Sequence, residues 1–101
     1  MKFTTHNQKE IYVNGTCLQG SIKADYHNLE KLFGEPTIGD GYKTDAEWEI
    51  EFEDGIVATI YNWKNGKNYN GENGIPITEI TNWNVGGREQ KAVDNLISIL
   101  S

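Results

Sequence analysis

The chain has 101 residues, a net charge of −6, 37% hydrophobic residues and a single cysteine. That is one domain with room for a modest core, and Cys17 has no partner for an intramolecular disulfide. No apolar run approaches the roughly 18 residues that span a bilayer, and Met1-Lys2-Phe3 leads into polar sequence rather than a signal-peptide apolar region, which predicts a soluble, intracellular protein.

Residues 1–8 are polar enough to read as a loose N-terminal tail. Asn14-Gly15 is a two-residue hairpin signal, since a type I′ turn needs positive φ at both central positions. It predicts a strand over Lys9–Val13 returning as one over Thr16–Ile22. Asp25 is a suitable N-cap for a short helix whose apolar stripe is Tyr26, Leu29, Leu32 and Phe33, with Gly34 as its left-handed terminator and Pro36 blocking resumption.

Asp45–Phe52 alternates without fault, with Trp48, Ile50 and Phe52 on one face and Glu47, Glu49 and Glu51 on the other. Asp54-Gly55 turns the chain into a strand from Ile56 to Trp63. A two-residue turn would set Ile56, Ala58 and Ile60 beside the glutamates. A three-residue loop with Gly55 as a bulge pairs Phe52 with Ile56, Ile50 with Ala58 and Trp48 with Ile60, keeping one face apolar.

Residues 64–74 (KNGKNYNGENG) hold three Asn-Gly dipeptides and no apolar period, so they read as a long exposed loop. Ile75–Ile80 reads as a short edge strand limited by Pro76, and Thr81–Val85 as another strand. After Gly86-Gly87 comes a terminal helix with Ala92, Val93, Leu96, Ile97 and Leu100 toward the core. The expected fold is a single α+β domain: an antiparallel sheet of about five strands packed with two helices.

Chemistry is concentrated in three places. Asp45, Glu47, Glu49, Glu51, Glu53 and Asp54 are six acids with no base among them; without them the chain has nine acids and nine bases. They are a solvated strand face, or a ladder whose ~6.8 Å spacing imitates phosphates toward a basic groove. Trp63 and Tyr69, at the edge of the polar loop, are expected to be exposed and to join that partner-binding surface. The third place is Trp83-Asn84-Val85-Gly86-Gly87-Arg88 with Tyr61. Two glycines before a helix and Arg88 in its first turn could hold a phosphate, with an aromatic stacking a base; equally, the glycines could serve close strand–helix packing.

Direct nucleic-acid binding is disfavoured, because eight of the nine bases are lysines and Arg88 is the only arginine. No nucleophile stands in sequence with His6 or His27, Cys17 reads as a small strand hydrophobe, and nothing desolvates one carboxylate of the open ladder. The expectation is no enzyme, no metal and no cofactor.

Four blocks carry a resemblance: Phe33-Gly34-Glu35-Pro36, the run from Asp40 to Trp48 (DGYKTDAEW), the run from Val57 to Lys64 (VATIYNWK), and Trp83-Asn84-Val85-Gly86-Gly87. In these the chain resembles a group of small accessory proteins of tailed phages and prophages, over roughly residues 16–95. Asn84 stands where that group's Trp-x-x-Gly-Gly block often has histidine. The resemblance carries no catalytic residues. It implies a host-takeover or counter-defence factor that works by binding. Taken with the concentrated acidic charge and the lack of catalytic apparatus, the expectation is a counter-defence protein in the host cytoplasm that inhibits a host immune protein, such as a CRISPR effector, by binding its basic nucleic-acid-binding surface. Two other readings stay open: a sponge for a nucleotide immune signal, and a minor virion or assembly component. The terminal helix carries apolar residues on more than one side, which fits either a homodimer interface or deep burial.

Overall fold

The computed structural model describes residues 1–100. Five strands, β1 (Phe3–Thr5), β2 (Cys17–Lys23), β3 (Glu47–Phe52), β4 (Val57–Tyr61) and β5 (Asn82–Gly87), form one antiparallel sheet in the order β1-β3-β4-β5-β2. Two main helices, α1 (Tyr26–Phe33) and α3 (Lys91–Leu100), and a four-residue helix α2 (Lys67–Asn70) complete an α+β globule.

The β3–β4 hairpin follows the bulged register. Trp48 opposes Ile60 and Ile50 opposes Ala58. Gly55, at φ +86°, lets its N–H reach Phe52 O, and the Phe52 N–H donates to Ile56 O. One face is therefore wholly apolar. Trp48, Ile50, Phe52, Ala58, Ile60, Trp83 and Val85 meet Leu29 and Phe33 of α1 and Ala92, Val93 and Leu96 of α3. Trp48 and Trp83 pack edge to face at 5.4 Å, and each indole N–H is satisfied by a backbone carbonyl, Gly34 O and Ala24 O. Helix α1 starts where Asp25 accepts from the N–H groups of His27 and Asn28.

Four local expectations are corrected. The N-terminus is not loose, because Phe3 pairs with Phe52 and packs edge-on against Phe33 at 5.1 Å, so β1 closes the sheet edge. Lys9–Val13 is not a strand. Asn14-Gly15 does turn the chain, but the return strand β2 pairs with β5, and residues 6–16 lie over the sheet's outer face. Ile11 is buried there, and Lys9 forms an ion pair with Glu51 at 3.0 Å. Ile75–Ile80 contains a 3-10 turn (Ile77–Glu79) instead of a strand. On α3, Asn95 rather than Ile97 faces inward, since its amide donates to Asp54 Oδ2; Ile97 is left exposed beside β2.

Candidate binding cleft and aromatic rim

The outer face of the sheet carries Glu47, Glu49 and Glu51 from β3, opposite Tyr61, Thr59 and Val57 of β4. Gly86 of β5 lies beside Thr59, and a Cβ there would collide with the Thr59 hydroxyl oxygen. Over this surface the segment around Val13–Cys17 on one side and the loop Asp40–Thr44 on the other leave a cleft of about 250 Å³. Thr59, Tyr61 and Gly86 line it from the sheet, with Glu47, Asp40 and Thr44 beside them and Trp63 also lining it.

Local chemistry fixes both walls. Asp40 Oδ1 accepts from the N–H groups of Tyr42, Lys43 and Thr44 at 2.9, 3.0 and 3.1 Å. These bonds, that of Tyr42 foremost, hold its carboxyl below the usual carboxylate range. On the other side Arg88 donates to Tyr12 O at 2.8 Å and Asn14 O at 3.0 Å, and lies over the Tyr12 ring. Between the walls, burial pushes the Glu47 carboxyl up to about 7, and its hydrogen bond and charge repulsion with Glu49, then the charge of Asp40, add to the shift. The open-ladder expectation is thus corrected: the covering segments desolvate Glu47. Burial also raises the Tyr61 phenol, with the charges of Glu47 and then Cys17 contributing.

Beside the cleft stands an aromatic rim. Asn62, almost fully buried, accepts from the N–H groups of Asp45 and Ala46 and donates to Asp45 Oδ1 and Asn65 Oδ1. Asp45 Oδ2 in turn accepts from Asn68 N–H. Residues 64–74, expected as a long exposed loop, are mostly exposed, but this network folds them into α2 followed by a 3-10 turn. It presents Trp63, 45% exposed, and Tyr69, whose ring lies 5.1 Å from that of Tyr42, itself 57% exposed. Lys43 Nζ lies 5.3 Å and Lys64 Nζ 5.9 Å from the Trp63 ring centre.

The residues singled out from sequence are distributed unevenly. Of the six acids, Asp45 is tied into the Asn62 network, Glu51 is paired with Lys9, and Asp54 caps the hairpin while accepting from Asn95 and facing Lys91 at 3.4 Å. Glu47 belongs to the cleft, Glu49 adjoins it, and Glu53 is exposed at the strand's end. A continuous, phosphate-like row is not presented. Trp83 is fully buried, so it cannot stack a base, and Asn84 is half-buried in β5 opposite Tyr61. Gly86 and Gly87 are strand residues rather than a helix-start loop: their backbone pairs with β4 and β2, and α3 begins only at Lys91. Gly87 instead gives α3 room, since a Cβ on it would stand 2.6 Å from that of Ala92. Arg88 is bound to the 12–14 segment.

Sequence reasoning missed Asp40, Tyr42, Thr44, Thr59 and Val13–Cys17. The one available signal was the Gly39-Asp40-Gly41 turn followed by an aromatic; the rest converge only through the sheet. Both ring nitrogens of His6 are engaged, Nε2 with Glu35 O and Nδ1 with Glu49 N–H. Among the described residues no group of three or more His, Cys, Asp or Glu side chains is placed to hold a metal ion, and no helix is long and apolar enough to cross a membrane. Comparison with known protein families, curated proteins and solved structures finds no match to this chain.

Proposed function

We propose that this protein acts without catalysis, as a binding protein that docks on another protein and inhibits it. The observation that carries this reading is the aromatic rim: Tyr42, on the loop held by Asp40, and Trp63 and Tyr69, on the segment held by the buried Asn62 network, are exposed together. Large aromatics presented by a preorganised loop bury much area on docking at little cost in ordering, and they dominate interface energetics. The charge of −6 favours a partner with a basic face, by raising the encounter rate. The resemblance to phage accessory proteins favours a host immune protein in the host cytoplasm, whose nucleic-acid-binding surface would be blocked. The burial of Trp83, the engagement of Arg88 and the acidic cleft all weigh against the capture of an anionic nucleotide signal.

The test is recovery of the tagged full chain from a host lysate that contains the host's defence systems, read by native mass spectrometry. The expected result is a stoichiometric complex with one host protein, lost when Tyr42, Trp63 and Tyr69 are all replaced by alanine. A complex that persists in the triple variant, or bare protein throughout, overturns the proposal.

A further inference from the structure

Besides the aromatic rim, three surface features stand out. The groove of Ser21, Ile22, Lys23, Ile97 and Leu100 is apolar and open, but nothing in the structure shows what covers it. The shallow surface around Phe3 and Gly55 is lined by Lys2, Lys9, Glu51 and Glu53, but Lys9 and Glu51 are paired with each other and nothing in the structure points to a ligand there. The outer-face cleft has both enclosure and chemistry.

We propose that the cleft is a receptor for a guanidinium group, that of an arginine side chain presented by the protein partner. The partner's identity rests on the docking reading; the recognition of a guanidinium does not. Four observations converge. Glu47 and Asp40 line the cleft, so two carboxyl groups face one small volume, and the charge of Glu49 on the same strand face adds to their negative field. Thr59 is only 6% exposed, yet no described residue bonds its hydroxyl, which opens onto the cleft as an unused donor and acceptor. The Trp63 indole already attracts cations, with Lys43 over its ring in the free protein, and an incoming planar guanidinium can exchange with that ammonium and stack. Gly86 keeps the floor low, where any side chain would fill the space above Thr59.

The carboxyl pair suits this cation. A guanidinium offers paired N–H donors in one plane, which match a carboxylate in bidentate fashion. In the free protein Glu47 is protonated much of the time near neutral pH, because burial disfavours its charge and Glu49, then Asp40, repel it. An entering cation removes that repulsion and drives the proton off. Binding therefore releases a proton and strengthens as pH rises from 6 to 8. The other titratable or charged groups around the cleft are Tyr61, Cys17 and the rim lysines Lys43 and Lys64; Tyr61, raised by burial, stays neutral across this range, so Glu47 dominates the dependence.

The experiment titrates the isotope-labelled full chain with N-acetyl-arginine-N-methylamide, using the citrulline analogue as a neutral isostere, and follows amide and indole signals by NMR. Saturable shifts confined to Thr59, Tyr61, Gly86 and the Trp63 indole are expected, with Trp48 and Trp83 silent. Affinity should fall about tenfold in Glu47→Gln. Should that variant fail to fold, Trp63→Ala, exposed and tolerant, must weaken binding instead. Equal binding of citrulline, shifts mapping elsewhere, no saturation, or unchanged affinity in the folded variant each overturns the proposal. This result is independent of the lysate experiment, since a cleft that binds arginine in a chain that captures no host protein would sink only the docking reading.

Discussion

Asn62 grips Asp45 from two sides, accepting from its backbone N–H at 2.8 Å while donating to its carboxylate Oδ1 at 2.9 Å. That reciprocal bond joins the start of β3 to the end of β4 and roots the aromatic rim. Gly66 is confined by the same pair, because a Cβ on it would strike the Asp45 carboxylate.

Removal of the grip should therefore be costly. Asn62→Ala strands the buried N–H groups of Asp45 and Ala46 and frees the Asp45 carboxylate. About 3 kcal/mol of stability should be lost, read from the urea midpoint at constant slope. Asn62→Asp should be worse, since it sets a second carboxylate against Asp45. A midpoint unchanged in both variants would contradict the network's role.

Stability should fall as pH rises through neutrality. The folded-state value of Glu47 lies above its unfolded value of 4.5, at about 7, so the native chain holds a proton that the unfolded chain has released. The associated stability is fully present below pH 4.5 and is lost as pH rises through about 7. Solvent access discounts the full shift to about 1–2 kcal/mol. Asp40 and Asp54, both held low, act in the opposite direction and only in more acid solution. Denaturation at pH 5 and 8 should show the loss in the parent chain and its disappearance in Glu47→Gln.

Two glycines allow a paired comparison. Gly87→Ala places a methyl 2.6 Å from Ala92 and must prise α3 off the sheet, costing about 2–3 kcal/mol. Gly55→Ala meets open space and carries only the strain of φ +86°, about 1 kcal/mol. Thermal melts that reverse this order would show that α3 packs less tightly than described.

Arg88 offers a test of the cleft wall. Arg88→Ala removes two hydrogen bonds to Tyr12 and Asn14, and amide exchange should accelerate across residues 12–16 while the β3–β4 hairpin keeps its protection. Arg88→Lys should not restore protection, because an ammonium cannot reproduce the forked contact. Unaltered exchange in the alanine variant would remove Arg88 from the wall.

By itself the sequence determined those features that rest on short-range pattern. The helix from Tyr26 to Phe33 follows from its cap, stripe and terminal glycine, and the β3–β4 register follows from alternation plus the geometry of Gly55. The apolar face of the sheet could be read in the same way, since strand periodicity needs no knowledge of distant residues. Only the tertiary structure decided what covers the other face. Ile11, Lys9 and the Tyr12–Asn14 carbonyls find their partners 42 to 76 residues away in Glu51 and Arg88 or beneath their own segment, and no local signal encodes such pairings. The same long-range closure turned Asn14-Gly15 from a hairpin turn into a bend over the sheet, made β1 of an apparent tail, and drew Gly86-Gly87 into β5. It also converted Glu47 from one rung of a solvated ladder into a desolvated carboxyl. Burial is a property of what the rest of the chain lays over a residue, and a sequence pattern fixes only which way that residue points.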